Sequence, residues 1–176
     1  MKREIISEDA TVGVFGLGET GLAIADFLKA KNISTLLFDD NPSNRAKTFV
    51  KNLGLEIHQS NKKSDLSRLI EAMDIFIPTP GLPDRHWIYE YINQFCIPTH
   101  SEFDLAAQFD DRPLIAITGT NGKTTVTMMV KEMLLSSGIK TEAVGNTDIP
   151  LIRAIQDPSI EKFVVEASSF RLAHSS

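Results

Sequence analysis

Apolar residues fall along this chain in two alternating rhythms. Short unbroken apolar runs are followed by longer stretches in which apolar residues recur every three or four positions. The first kind reads as strand, the second as amphipathic helix. A first strand is expected over residues 12–15, then a helix over 19–31 with Leu22, Ala25 and Leu28 on one face. A second strand follows at 34–38, a helix at 46–53, a short third strand at 55–58 and a helix at 66–73. Residues 75–77 are wholly apolar, as suits a strand covered on both faces. Pro78, Pro80 and Pro83 stiffen the loop behind it. Helices are expected near 87–93 and over 102–109, the latter capped by Ser101.

The polar stretch 109–113 ends in Pro113 and is the expected domain boundary. Beyond it the alternation restarts. A strand at 114–118 precedes a helix at 123–137, where Val126, Met129, Val130, Met133 and Leu134 recur at helical spacing. Gly138 is placed to end that helix. Strands at 140–144 and 163–165 flank a helix near 151–155, and no internal repeat or low-complexity tract is visible. Strands alternating with helices predict an α/β protein with parallel sheets.

Two strand-to-helix junctions carry glycine turns. The first holds Gly16, Gly18 and Gly21 in G-x-G-x-x-G spacing, which lets backbone amides approach a diphosphate. Asp39 and Asp40 end the second strand at about the 20-residue spacing of a ribose-binding acid. They are read equally well as a solvated strand end. A purely structural tight turn, or a nicotinamide dinucleotide site serving an oxidoreductase, remains open at this point.

The second turn runs Gly119, Thr120, Asn121, Gly122, Lys123, Thr124, Thr125. A lysine behind glycines reaches β- and γ-phosphates, and the next hydroxyl can ligate Mg²⁺. The general motif wants a glycine where Ile117 stands, so this is a shortened P-loop. Glu166, closing the run 163–165, is the candidate metal carboxylate, or else a capping residue. Asn146 reads as a turn residue or a substrate ligand, and Asp148 as a helix cap. The fold expected is thus a Rossmann-like unit over 1–111, followed by the front part of a P-loop α/β unit over 112–176.

Composition narrows the class. The 176 residues are 42% hydrophobic and 23% charged, which excludes disorder and coiled coil. With 18 basic and 23 acidic residues the net charge is −5, which argues against nucleic-acid binding. The single cysteine, Cys96, excludes an internal disulfide and suits a reducing compartment. No leader-like or membrane-spanning run is present in the sequence, so a cytoplasmic location is expected. The chain stops shortly after its last strand-like run, which suggests a truncation.

Taken together, the residues resemble the Mur ligases, ATP-dependent amino-acid-adding enzymes of peptidoglycan synthesis. The likeness lies in the variant P-loop 119–125, in Gly145–Asn146, in the segment Val165 to Phe170 and in Thr79-Pro80-Gly81, with Pro98 and Ser101-Glu102 supporting it. Asn121 and the first glycine turn point to the branch that adds D-glutamate to UDP-N-acetylmuramoyl-L-alanine. Arg171 departs from the glutamine common there. The resemblance implies that the first turn holds UDP of the substrate, not NAD. Gly18, Glu19, Thr20 and Gly21 would meet the diphosphate, Asp39 and Asp40 the uridine end, and Thr79 and Gly81 the same cleft. Gly119 to Thr125 would hold ATP, with Lys123 catalytic. Thr124 and Glu166 would serve Mg²⁺, and Asn146 would contact the muramoyl-alanine end and assist catalysis. It further implies an acyl-phosphate route in a monomer, and a chain that binds nucleotide but does not ligate alone.

Overall fold

The computed structural model describes residues 5–59, 63–146 and 149–167, with the backbone alone for 63–65. Asp148, Arg171 and the end of the 165–170 segment lie outside the described residues.

The first unit is a parallel sheet with strand order β3-β2-β1-β4. Its strands are β1 (Thr11–Phe15), β2 (Ser34–Phe38), β3 (Ile57–His58) and β4 (Ile75–Pro78). A parallel bridge from Phe76 to Thr99 extends it beyond β4. Helices α1 (Glu19–Ala30), α2 (Asn44–Asn52), α3 (Lys63–Glu71), α4 (Ile88–Gln94) and α5 (Glu102–Phe109) connect or cover the strands. Strand order reverses between β1 and β4, and α/β sheets of this kind bind ligands outside the carboxyl ends of the strands at that point.

The second unit has strands β5 (Leu114–Ile117), β6 (Thr141–Gly145) and β7 (Lys162–Glu166), all parallel in the order β5-β7-β6. Helices α6 (Lys123–Ser136) and α7 (Leu151–Ala154) belong to it. The α/β fold with parallel sheets is therefore as the periodicity predicts. Ser101 caps α5 through a reciprocal pair with Asp104, with Ser101 Oγ accepting from Asp104 N at 3.1 Å.

One apolar core runs through both units. Helix α1 buries Leu22, Ala23, Ile24, Ala25, Phe27 and Leu28, far more than a one-sided stripe. The first sheet takes one side of α1, and α7 packs against it from the second unit. Buried Glu102 of α5 accepts a hydrogen bond from Ile152 N of α7 at 2.8 Å. The polar 109–113 stretch is pinned too. Arg112 pairs with Asp110 at 2.6 Å and donates to the carbonyls of Ile155, Asp157 and Ile160 at 2.6–2.7 Å. Its guanidinium lies 4.7 Å from the centre of the Phe163 ring.

The helical stripe on α6 faces the other way from expectation. Met129 and Met133 are 59% and 67% exposed, while Thr127 is the helix's buried residue. The helix is apolar around most of its girth, and β6 and β7 cover one side of it. Leu114 and Ile115 on the β5 edge are exposed as well. Since Met133 touches no core, Met133→Glu is expected to change unfolding free energy by less than about 0.5 kcal/mol, checked by urea titration.

Candidate functional site

The first glycine turn springs from the end of β1. Gly16 N donates to Phe38 O at 2.8 Å, and Thr79 N donates to Phe15 O at 3.0 Å, tying the loops after β1, β2 and β4 together. Gly21 sits where a side chain has no room: a Cβ there would lie 1.9 Å from Gly16 O. Around Gly18, by contrast, nothing lies within 4 Å of a Cβ position, leaving space beside the N-terminus of α1. That end carries partial positive charge suited to phosphate.

The result is a cleft of about 530 Å³ at the switch point. Gly18, Glu19, Thr20, Gly21, Asp39, Asp40, Thr79 and Gly81 all line it. The residues expected at this site are therefore brought together. The two adjacent acids do different work, however. Asp39 accepts from Leu17 N at 2.6 Å and from Asn41 N at 2.8 Å, so its carboxylate holds the glycine turn against the end of β2. Asp40 instead pairs with His86 Nε2 at 2.7 Å. Glu19 forms a two-pronged ion pair with Arg45, which offsets an acid beside the phosphate end. Sequence reasoning missed His86, Asn41 and Arg45, because none sits in a motif or a periodic pattern. Tyr89 lies behind the cleft wall. Burial, with Asp84 as the second cause, pushes its hydroxyl up to about 12, so it stays neutral there.

The second turn joins β5 to α6. Gly122 caps the helix with φ 73°, a left-handed conformation that glycine adopts without strain. Gly119, Thr120, Asn121, Thr124 and Thr125 are exposed, and Lys123 is half-buried. Lys123 Nζ folds back onto its own loop, donating to Gly119 O at 2.7 Å and Thr120 O at 3.5 Å. The loop thus has a cation held by two carbonyls at the positive end of a 14-residue helix.

The ends of β6 and β7 converge beside it. Ile117 pairs with Glu166, and so does Gly145, in the sheet register. Asn146 N donates to Glu166 O at 2.9 Å, and its Nδ2 donates to Glu166 Oε1 at 3.4 Å. Glu166 is only 2% exposed, and its Oε2 has no hydrogen-bond partner. A buried carboxylate oxygen without a donor is costly and suits a cation as its partner. Among the described residues no cluster of three or more His, Cys, Asp or Glu could hold a metal. One carboxylate, one hydroxyl and phosphate oxygens are instead the usual Mg²⁺ arrangement, and the residues present fit it.

Two parallel sheets, each opening on a glycine turn and a helix N-terminus, define an α/β nucleotide-binding protein, and the chain belongs to the Mur ligase family. Residues 117–176 match the Mur ligase middle domain. The chain is 37% identical over 161 residues to the UDP-N-acetylmuramoylalanine--D-glutamate ligase of Syntrophus aciditrophicus, covering 90% of this chain and 36% of that one. It is 34% identical over 174 residues to the enzyme of the same name from Desulfosudis oleivorans, covering 97% and 37%. The chain thus spans about a third of the length of the curated relatives it matches. Among solved structures it resembles a murein peptide ligase of Psychrobacter arcticus, with a TM-score of 0.54, 21% identity and coverage of 92% and 39%. That likeness concerns the fold alone. Among the described residues no helix is long and apolar enough to cross a membrane.

Proposed function

We propose that this chain is the nucleotide-handling part of a cytoplasmic, monomeric, ATP-dependent ligase that joins D-glutamate to UDP-N-acetylmuramoyl-L-alanine through an acyl phosphate. The observation that carries the reading is the pair of glycine turns at the carboxyl ends of two parallel sheets, in a chain similar to D-glutamate ligases over 90% of its length. In this reading residues 1–111 hold the UDP-substrate and 112–176 hold ATP.

Gly18 and Gly21 let the chain approach the diphosphate, and the α1 N-terminus supplies the balancing charge. Thr79 and Gly81 form the opposite wall. Bound ATP with Mg²⁺ supplies the phosphoryl group that activates the alanyl carboxylate. Lys123 exchanges its loop carbonyls for phosphate oxygens and neutralises charge that grows during transfer. Gly119, Thr120, Asn121, Gly122 and Thr125 frame those phosphates, while Thr124 and Glu166 hold the metal. Asn146 orients Glu166 and lines the muramoyl-alanine end.

A chain of about a third of the ligases' length is expected to bind nucleotide without ligating. The functional test is therefore a chimera in which this chain replaces the matching region of the Syntrophus aciditrophicus enzyme. Phosphate release from ATP should require both UDP-N-acetylmuramoyl-L-alanine and D-glutamate. Release driven equally by another amino acid would overturn the substrate assignment.

Glu166→Gln gives a sharper outcome, because it removes a buried charge but keeps the shape. Without Mg²⁺ the variant of this chain should be more stable by about 1 kcal/mol, read from thermal melting. In the chimera the same change should slow phosphate release by about 10²-fold. A destabilised chain with normal release would refute the metal role.

A further inference from the structure

We propose that His86 is a positioning residue of the first cleft, holding Asp40 as the acceptor that reads the nucleoside end of the ligand. The inference rests on the reading of that cleft as a UDP site. It starts from the unequal use of two neighbouring acids. Both oxygens of Asp39 accept backbone N–H groups, from Leu17 and Asn41, so that carboxylate is committed to shaping the turn. Asp40 is the acid whose side chain meets a partner from across the cleft, His86, at 2.7 Å.

The direction of that bond follows from the other ring nitrogen. Ile88 N donates to His86 Nδ1 at 3.3 Å, at the start of α4. Nδ1 is therefore an acceptor, and the neutral ring carries its proton on Nε2. His86 donates and Asp40 accepts. The ring is also fixed in place: Phe15 meets it edge-on at 4.6 Å between centroids, and Trp87 lies at 5.2 Å. Its side chain is 11% exposed against 48% for Asp40. A rigid, largely buried donor thus reaches out to orient a more exposed carboxylate on the cleft wall.

Charge decides which end of the ligand meets that carboxylate. A carboxylate repels a diphosphate, which the α1 N-terminus attracts. A nucleoside offers it donors, namely the ribose hydroxyls and the imino N–H of a uracil-type base. Asp40 therefore belongs to the nucleoside end, and the turn from Gly18 to Gly21 to the diphosphate end.

Titration calorimetry of the 176-residue chain with UDP and with inorganic pyrophosphate tests this. His86→Phe keeps an aromatic ring on Phe15 but removes the donor. It should weaken UDP binding about tenfold, the worth of one well-placed hydrogen bond to a charged group, and leave pyrophosphate binding unchanged. His86→Gln, which restores an N–H, should recover most of the loss. In the double variant, His86→Phe with Asp40→Ala, binding should be no weaker than with Asp40→Ala alone, because His86 acts through Asp40. Unchanged UDP affinity in His86→Phe, equal loss of pyrophosphate binding, or additive effects in the double variant would each overturn the proposal. A parent chain that binds pyrophosphate but not UDP would overturn the UDP reading itself, and this inference with it.

Discussion

Lys123→Ala should abolish ATP-dependent phosphate release in the chimera, with a fall of about 10³-fold or more. The size follows from where the ammonium sits. It is anchored 2.7 Å from Gly119 O, inside the loop that precedes α6, so it meets the transferring phosphoryl group without reorganisation. Alanine leaves the helix dipole and the loop amides, which explains why a residue of binding should survive. It leaves the fold as well, because Lys123 is half-buried and its hydrogen bonds go only to its own loop. UDP binding in the first cleft should not change. A variant that still releases phosphate at even a tenth of the parent rate would remove Lys123 from the mechanism.

Gly21→Ala should be the most damaging single methyl in the chain. Its Cβ would lie 1.9 Å from Gly16 O and 3.2 Å from Thr79 Cγ2, and a backbone oxygen cannot step aside as a flexible side chain can. Overpacking of this kind costs about 3 kcal/mol or more, which corresponds to a melting temperature lower by roughly 10 °C. The turn and the loop after β4 would separate, and UDP binding would go with them. Gly18→Ala is the matching control. No atom lies within 4 Å of its Cβ position, so stability should hold to within about 0.5 kcal/mol. The new methyl instead enters the space a diphosphate would use, so UDP affinity should fall while the melting curve stays in place. If both variants melt alike, the close approach at Gly21 is not what holds the turn.

The alternation of strands and helices was legible because parallel strands are covered on both faces. Ile75, Phe76 and Ile77 leave no polar interruption, and all three are buried. The glycine turns were legible because backbone geometry demands their residue types at fixed spacing. What was not legible depends on contacts between distant segments. Nothing local distinguishes Asp39 from Asp40; their roles diverge because Leu17 lies under one and His86 reaches the other. His86 itself lies 46 positions from its partner, in a proline-rich loop with no periodicity. The stripe on α6 predicted a buried face correctly in spacing but not in direction, since Met129 and Met133 turn away from β6 and β7. Phe27 and Ile24 gave no sign that α1 would be enclosed on both sides, a consequence of α7 arriving from the second unit. Glu166 was a candidate by position at a strand end; only the structure leaves its Oε2 buried without a partner.

The most direct test of the account is a calorimetric titration of this chain with UDP-N-acetylmuramoyl-L-alanine, run beside UDP and NAD. The muramoyl compound and UDP should both bind, each at least tenfold tighter than NAD, and Gly18→Ala should weaken both. Binding of NAD with no binding of either UDP compound would contradict it.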